Sequence, residues 1–500
     1  MQFEPPPISR KSHSGRALKP YPYIMSIPTN YLTASECIDL VSKGQLTIEQ
    51  IALDHLARYD ERDPVIHAWA YVDRELVMNE ARRLDALPKE ERGPLHGAVL
   101  GVKDMISEWN DGNPSNGKDT DDEVIDTKDL PTQHNSPIYK DHRPNIDAGP
   151  VAICRAAGAL IFGKTHTTEF ASTSVGPPAC NPYDRRRTPG GSSSGSGAAV
   201  SDYQCSFAFG TQTGGSTIRP GSYNGIFALK PTWGAITREG LKICSITLDT
   251  LGLYARSIED LKLLAQVFRI QDDVPPPVRP KPLSSCKFAY IKTDQWDASS
   301  GPSPELISAW EKSATLLREA GAEVVDVDLP SSFDKVSGGK HQWIMDGEAR
   351  ASFLPEYMVA KDQLADFLQS HVENRTHITR KMQLQAYDEI AALRPVIDKL
   401  ASEYDAIVTP AVPGEAPMGL GHTGDMRFCS MWTALHVPCV NIPGFASVSG
   451  MPIGLTLVAP RYEDERLLSI AGEVAKVWVG ADADKLNEIP APKGSVHLKV

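Results

Sequence analysis

Residues 189–234 read PGGSSSGSGAAVSDYQCSFAFGTQTGGSTIRPGSYNGIFALKPTWG and contain two loops rich in glycine and hydroxyl groups. The first loop covers residues 189–197 and the second covers residues 210–220, and a helix is predicted to begin at residue 198 between them. Either loop alone is typical of an ordinary turn, because Gly and Ser favour turns. Two such loops close together in the sequence indicate a site built from hydroxyl groups and backbone N–H groups.

The second loop places Ser216 directly after Gly214 and Gly215. Glycine has no Cβ, so its N–H group can approach a ligand closely, as an oxyanion hole made of backbone donors requires. The first loop contains Ser192, Ser193 and Ser194, which have no evident packing role. The pattern therefore predicts a serine nucleophile in one of these loops.

A serine nucleophile needs a base, and neither loop contains a histidine. Residues 96–102 read HGAVLGV, an apolar run typical of a buried strand, and Lys103 follows this run directly. Removal from water lowers the pKa of a lysine and turns it into a base. Lys103 is therefore the candidate base.

Three competing motifs are rejected on their context. Residues 158–165 (GALIFGKT) match a phosphate-binding loop, but the middle positions are themselves a strand and not small residues that curl around phosphate. Residues 191–195 (GSSSG) match the nucleophile elbow of α/β-hydrolases, but no apolar strand precedes them. The thirteen histidines include no H-x-H or H-E-x-x-H pair, so no metal is expected.

The rest of the chain predicts an α/β fold. Capping-box patterns at Thr33 and Thr47 indicate two early helices, and a further helix is predicted over residues 74–87. In the second half, strand-like runs over 288–291, 323–327, 406–409 and 453–458 alternate with helical patterns over 304–320, 381–404 and 463–477. This alternation predicts a sheet covered by helices on both faces.

Composition excludes several function classes. The 500 residues carry 51 basic and 63 acidic side chains, a net charge of −12 that disfavours nucleic acid as a partner. The eight cysteines are scattered singly, which is typical of a reducing compartment. The sequence shows neither a secretory signal nor a run of about 18 apolar residues. A cytoplasmic protein without a membrane partner is expected.

The sequence resembles the amidase signature hydrolases over most of its length. The resemblance rests on residues 189–234 and on GAVLGVKDMI at 97–106, DAGPVAICRAAGALIFGKTHTTEFAST at 147–173 and MPIGLTLVAPRYEDERLL at 451–468. It implies one large α/β/α domain with a mixed, twisted central sheet flanked by helices. It also implies a Ser-cisSer-Lys triad made of Ser216 as nucleophile, Ser192 as bridging serine and Lys103 as base.

The resemblance assigns further roles around this triad. The backbone N–H groups of Thr213, Gly214, Gly215 and Ser216 would form the oxyanion hole. Gly191 would precede the bridging serine in a cis peptide, and Ser193 would support the loop by hydrogen bonding. Arg219 is expected to form an internal ion pair. No cofactor is implied, because acyl transfer to serine needs none.

The expected domain organisation is an extended N-terminal arm over 1–30, an amidase signature domain over 31–490 and a C-terminal tail over 491–500. An acidic segment at residues 107–125 departs from the family pattern, and three interpretations stay open: a lid, a neutral loop or a gene-model artefact. Its composition offers little apolar surface to bury, so it is expected to be a solvated loop.

Three functions compete. The first is a stand-alone, acetamidase-like amidase that hydrolyses a small-molecule amide through a Ser acyl-enzyme; a homodimer is kept open as its assembly. The second is the glutaminase (A) subunit of a tRNA-dependent amidotransferase. That subunit usually reads G-S-D-T-G-G-S, whereas this chain has Gln212 and an additional Thr217. The third is a catalytically impaired binding protein on the same scaffold. Trp343, Met345, Trp432 and His436 are the candidate pocket walls.

Overall fold

The computed structural model of this chain describes residues 27–104, 128–492 and 495–500. Within them one mixed sheet of eleven strands runs through the molecule. The strands are β1 Trp69–Tyr71, β2 Val99–Lys103, β3 Leu160–Thr165, β4 Phe207–Gln212, β5 Phe227–Lys230, β6 Thr250–Ala255, β7 Lys287–Tyr290, β8 Glu323–Asp326, β9 Ala406–Pro410, β10 Cys439–Ala446 and β11 Pro452–Val458.

Fourteen α-helices of the described residues accompany this sheet. They are α1 Ala34–Ser42, α2 Ile48–Ile66, α3 Arg74–Asp85, α4 Gly149–Ala156, α5 Ser194–Ser201, α6 Ile218–Tyr223, α7 Ile258–Val267, α8 Pro304–Glu319, α9 His341–Ser352, α10 Leu354–Ala360, α11 Asp366–Val372, α12 Arg380–Ala401, α13 Arg427–Ala434 and α14 Asp464–Trp478. None of the helices in these residues is long and apolar enough to cross a membrane.

The strand order is β1-β3-β2-β4-β6-β5-β10-β11-β9-β7-β8. Parallel pairs join β2 to β3 and to β4, and join β7 to β8 and to β9. The other neighbouring pairs are antiparallel, so the sheet is mixed. Every residue of β2, β3, β4 and β6 is buried, as expected for strands that helices cover on both faces. The predicted fold class is confirmed.

The predicted helices and strands agree with the observed ones to within three residues at each end, except that the helix predicted to begin at residue 198 begins four residues earlier, at Ser194 of α5. One capping motif also differs from its prediction. Thr33 and Glu36 form both hydrogen bonds of a capping box. At Thr47 only one of the two forms, in which the Thr47 side chain accepts from Gln50 N. The Gln50 side chain donates to Asp54 instead of reaching back to the start of the helix. Gly163 and Lys164 lie inside β3, which explains why the GKT pattern is not a phosphate loop.

The described residues include part of the expected N-terminal arm and part of the expected C-terminal tail. Residues 1–26 and the acidic segment at 107–125 lie outside the described residues, so the predictions on them stay predictions. At the end of the expected arm, Thr29–Tyr31 form a buried 3-10 turn that extends one residue beyond the arm. In the C-terminal tail, Lys499 Nζ contacts Glu36 at 2.9 Å, and Lys499 N donates to Arg256 O at 3.0 Å. The tail therefore packs against the first helix of the fold.

The sheet brings the predicted site together at one edge. β2 and β4 are parallel neighbours, with Leu100 opposite Phe207 and Gly101 opposite Ala208. β2 ends at Lys103 and β4 ends at Gln212, directly before the second glycine loop. The carboxyl ends of parallel strands meet at the same edge of a sheet, where open α/β folds place their sites.

Candidate active site

Lys103 is completely buried at the end of β2. Its Nζ atom lies 2.8 Å from Ser192 Oγ and 2.7 Å from Thr211 Oγ1. Burial lowers the pKa of Lys103 well below the ordinary range of a lysine, and the charge of Asp249 opposes this shift only in part. The amine is therefore held near a hydroxyl in an environment that favours its neutral form.

Arg219 fixes the peptide that precedes Ser192. The Gly191–Ser192 bond is cis, and Gly191 O accepts from Arg219 Nη2 at 2.6 Å and from Nε at 3.2 Å. Arg219 Nη1 donates to Gly424 O at 2.7 Å. The expected ion pair of Arg219 is therefore wrong, because the hydrogen bonds found for its guanidinium go to two backbone carbonyls and the Thr423 hydroxyl.

Ser193 links the first loop to β4. Its Oγ accepts from Thr211 N at 3.2 Å, and Ser193 is completely buried at the start of α5. This contact joins the residue that follows Ser192 to the residue that contacts Lys103. The first loop is thereby held against the strand on which the second loop begins.

The carbonyl groups of residues 213–216 each accept a hydrogen bond, three of them from side chains outside the second loop and one from Arg219 N within it. The contacts are His341 Nε2 to Thr213 O at 2.8 Å, Thr433 Oγ1 to Gly214 O at 2.7 Å, Arg219 N to Gly215 O at 3.0 Å and Tyr254 OH to Ser216 O at 3.2 Å. A carbonyl can only accept, so His341 carries its proton on Nε2. Burial lowers the pKa of His341 and keeps the ring neutral.

The hydrogen bonds to the carbonyl groups of residues 213–215 fix the direction of the N–H groups of residues 214–216. In a trans peptide the C=O and the N–H of the same plane point in opposite directions. The N–H groups of Gly214, Gly215 and Ser216 therefore point away from these donors, and none of the three has a hydrogen-bond partner among the described residues. Three free backbone donors beside a serine hydroxyl have the chemistry of an oxyanion hole.

A buried carboxylate supports the start of this loop. Asp249 accepts from Thr213 Oγ1 at 2.6 Å, from Cys244 N at 2.7 Å and from Ser245 N at 3.1 Å. Burial raises the pKa of Asp249 to about 6, although these hydrogen bonds favour the ionised form. The same carboxylate is the acidic neighbour that acts on Lys103.

Ser192, Thr213, Gly214 and Ser216 line one cavity of about 910 Å³. Met426 packs against the glycines of the second loop: a Cβ on Gly214 would lie 2.2 Å from Met426 Sδ. A side chain at residue 214 would therefore displace the Met426 side chain. The other residues that line the cavity include apolar and charged ones: Ala171, Met345, Phe367, Glu305, Asp425 and Arg427.

The family model described as Amidase matches residues 122–468. The chain belongs to the amidase family. The matched segment contains both serine loops, whereas Lys103 lies before it.

Curated relatives in the family include A subunits of glutamyl-tRNA(Gln) amidotransferase. The subunit of Streptomyces avermitilis is 29% identical over 502 residues, which cover 90% of this chain and 95% of that protein. The subunit of Cutibacterium acnes is 29% identical over 500 residues, with coverage of 89% and 95%. The chain therefore spans nearly the whole length of these relatives.

Solved structures of the family share the fold. A structure described as an amidase is 26% identical, with a TM-score of 0.75 and coverage of 89% of this chain and 99% of that one. The peptide amidase of Stenotrophomonas maltophilia is 23% identical, with a TM-score of 0.71 and coverage of 94% and 99%. At this identity the second comparison shows the fold alone.

The structure brings some predicted residues together and separates others. Of the four candidate walls, Met345 lines the cavity that contains Ser216. Trp432 is wrong as a wall because it is buried in the core, and Trp343 packs half-buried against the same core cluster. His436 stacks on Trp233 in a separate cleft.

Sequence reasoning missed the residues that hold the second loop. His341, Thr433, Tyr254 and Asp249 lie 33 or more positions after Ser216 and belong to no local motif. Each is a buried polar residue in the structure. Tyr254 lies in the mostly apolar strand β6, which indicates a buried hydrogen bond but not its partner, whereas no sequence pattern marks His341, Thr433 or Asp249 as a partner of this loop.

Proposed function

We propose that this protein is an amidase that hydrolyses a carboxylic amide to an acid and ammonia or an amine through an acyl-enzyme on Ser216. The observation that carries the proposal is the 2.8 Å contact between Lys103 Nζ and Ser192 Oγ at the cavity that also contains Ser216. A buried lysine that has a lowered pKa and lies beside a serine hydroxyl is suited to act as a general base. No other role for this amine is evident in the described part of the chain.

The proposed proton path begins at Lys103. A neutral amine has two N–H groups and one lone pair, so it can donate to Thr211 Oγ1 and still accept the proton of Ser192. Ser192 in turn accepts the proton of Ser216 as Ser216 Oγ forms a bond to the amide carbon. The Arg219 contacts to Gly191 O hold Ser192 for this transfer.

The carbonyl oxygen of the substrate becomes negatively charged in this step. The free N–H groups of Gly214, Gly215 and Ser216 are the donors proposed to stabilise it, and losing one such donor typically costs about 3–4 kcal/mol. Ser192 then returns a proton to the leaving nitrogen, and the C–N bond breaks. Water repeats the sequence on the acyl-enzyme, with Lys103 again as the base, and releases the acid.

Within the family we favour a stand-alone amidase. Gln212 and the additional Thr217 distinguish the nucleophile loop from the usual glutaminase sequence. The glutaminase subunit is the second candidate, because the curated relatives with 29% identity are amidotransferase A subunits. A catalytically impaired binding protein is the third, and all three predicted triad positions are occupied, which argues against it.

A substrate panel tests the proposal. The purified full chain and its Ser216→Ala variant are assayed with primary amides, anilides and esters, and separately with glutamine for ammonia release. Turnover of simple amides by the wild-type chain, abolished in the variant, is expected. Turnover of glutamine alone would support the glutaminase candidate instead, and no turnover of any substrate would support the binding protein.

A further inference from the structure

Gln212 is the last residue of β4 and is completely buried beneath the nucleophile loop. Its Oε1 atom accepts from Thr217 N at 2.9 Å and from Ile218 N at 3.0 Å, the two N–H groups that follow Ser216. Backbone N–H groups can only donate, so the atom that faces them must be the amide oxygen. The orientation of the Gln212 amide is therefore fixed by the loop itself.

This orientation determines the direction of a second contact. Gln212 Nε2 lies 3.0 Å from Thr433 Oγ1 and must donate to it. The single proton of Thr433 is then directed to another acceptor, and Gly214 O at 2.7 Å is closer than Cys429 O at 3.3 Å. A chain of hydrogen bonds thus runs from Thr217 N through Gln212 and Thr433 to Gly214 O.

We propose that Gln212 and Thr433 form a directional relay that positions the nucleophile loop for catalysis. The relay binds the loop on both sides of Ser216: at Gly214 O before it and at the N–H groups of Thr217 and Ile218 after it. Gly214 C=O and Gly215 N–H belong to one peptide plane and point in opposite directions. Because Thr433 holds Gly214 O, it also fixes the direction of the Gly215 N–H, one of the free donors of the site. This inference rests on the proposed function for its catalytic consequence.

The relay requires an amide at position 212. A carboxylate accepts but cannot donate, so with an aspartate there the Thr433 hydroxyl would have to donate to the carboxylate and release Gly214 O. Gln212 and Thr433 are therefore matched residues in this chain. Because both are completely buried, no water replaces a contact that is lost.

Thr433→Val removes the hydroxyl with almost no change in shape, and Thr433→Ser restores it. We expect Thr433→Val to lower kcat about 10- to 100-fold with KM changed by less than about threefold, because loss or misalignment of an oxyanion donor acts in the transition state. Thr433→Ser should stay within about threefold of wild type. The matched control is Thr409→Val, which removes a buried hydroxyl that has no hydrogen-bond partner among the described residues.

Gln212→Met breaks the relay at its other member. We expect the double variant Gln212→Met/Thr433→Val to be no slower than Gln212→Met alone, because residues of one network lose a shared interaction only once. Multiplicative losses would show that the two residues act separately and would overturn the relay. A wild-type kcat in Thr433→Val, or a loss that Thr433→Ser does not restore, would also overturn it.

Amide hydrogen exchange followed by mass spectrometry separates the relay from the proposed function. Peptides that cover residues 213–218 should exchange faster in Thr433→Val and Gln212→Met than in wild type and Thr409→Val. This measurement needs no substrate. A wild-type chain that hydrolyses no amide would contradict the proposed function alone, whereas unchanged exchange in both variants would contradict the relay.

Discussion

Lys103 Nζ and Ser192 Oγ lie 2.8 Å apart although the two residues are 89 positions apart in the chain. No carboxylate lies within ion-pair distance of Lys103 among the described residues. Its neighbour on β3, the buried Lys164, is different: Lys164 Nζ lies 3.4 Å from Asp104 Oδ1 and 2.6 Å from Thr132 Oγ1. Two buried lysines on adjacent strands thus have different electrostatic environments.

Lys103→Met should abolish most of the activity without loss of stability. A general base typically contributes about 10²- to 10⁴-fold, and we expect a loss of kcat/KM in that range. No buried carboxylate loses an ion-pair partner, so thermal denaturation should show an unchanged or higher Tm. A variant with a near-wild-type rate would remove Lys103 from the mechanism.

Lys164→Met is the matched control for that variant. It leaves Asp104 buried without its ion-pair partner, and breaking a buried pair in this way typically costs about 3–5 kcal/mol. We expect a lower midpoint of urea denaturation. Equal stability of the two lysine variants would contradict the assignment of different roles.

The pH dependence of wild-type kcat/KM should reflect the state of Lys103. The base acts only when it is unprotonated, so kcat/KM should rise with pH and level off above the pKa of Lys103. Because burial lowers that pKa, the plateau should begin below the pH at which an exposed lysine loses its proton. A profile that still rises at pH 10.5 would contradict a lowered pKa.

Ser216→Ala should abolish both amide turnover and labelling by a fluorophosphonate probe, while the fold is retained. The reason is that Ser216 Oγ is the atom proposed to attack, beside three free N–H groups. Ser206→Ala is the control, since its buried hydroxyl has no partner among the described residues. Peptide mass spectrometry that places the probe on Ser193 would contradict the assignment of the nucleophile.

Arg219→Lys should lower kcat by about tenfold or more. The guanidinium makes two contacts to Gly191 O and one to Gly424 O, and a single ammonium group cannot reproduce that planar arrangement. The matched control is Arg256→Lys, because Arg256 is also buried and also binds backbone carbonyls, away from the cavity. Similar kcat losses in both variants would indicate general destabilisation and not positioning.

The sequence predicted the parts of the site that local patterns specify. The glycines beside Ser192 and Ser216 and the apolar run before Lys103 are such patterns, and the structure places them at neighbouring strand ends. The residues that orient the second loop, such as His341 and Thr433, come from α9 and α13. Their contacts depend on how distant helices pack, which a single sequence does not specify.

The cavity walls show the same limit. Met345 and Trp343 are two positions apart on α9 and both pack against the core, yet of the two only Met345 also lines the cavity. Successive positions on a helix turn by about 100°, so residues two positions apart point about 200° apart, and the sequence alone does not indicate which of the two faces the cavity. Arg219 was predicted to pair with a carboxylate because charge is visible in a sequence, whereas backbone carbonyl acceptors are not.

Asp249 should make the stability of the protein fall as pH rises from about 4 to about 6. Burial raises its pKa from 3.8 to about 6, so in this window the folded protein binds a proton that the unfolded chain has lost. A shift of about two pKa units corresponds to about 3 kcal/mol, because each unit is worth 1.36 kcal/mol.

The Asp249→Asn variant has no titrating group at this position. The free-energy difference between wild type and this variant, measured by urea denaturation across pH 4 to 7, should therefore change by about 3 kcal/mol in favour of the variant. A difference that stays constant with pH would show that hydrogen bonds from Thr213, Cys244 and Ser245 fully compensate the burial of the carboxylate.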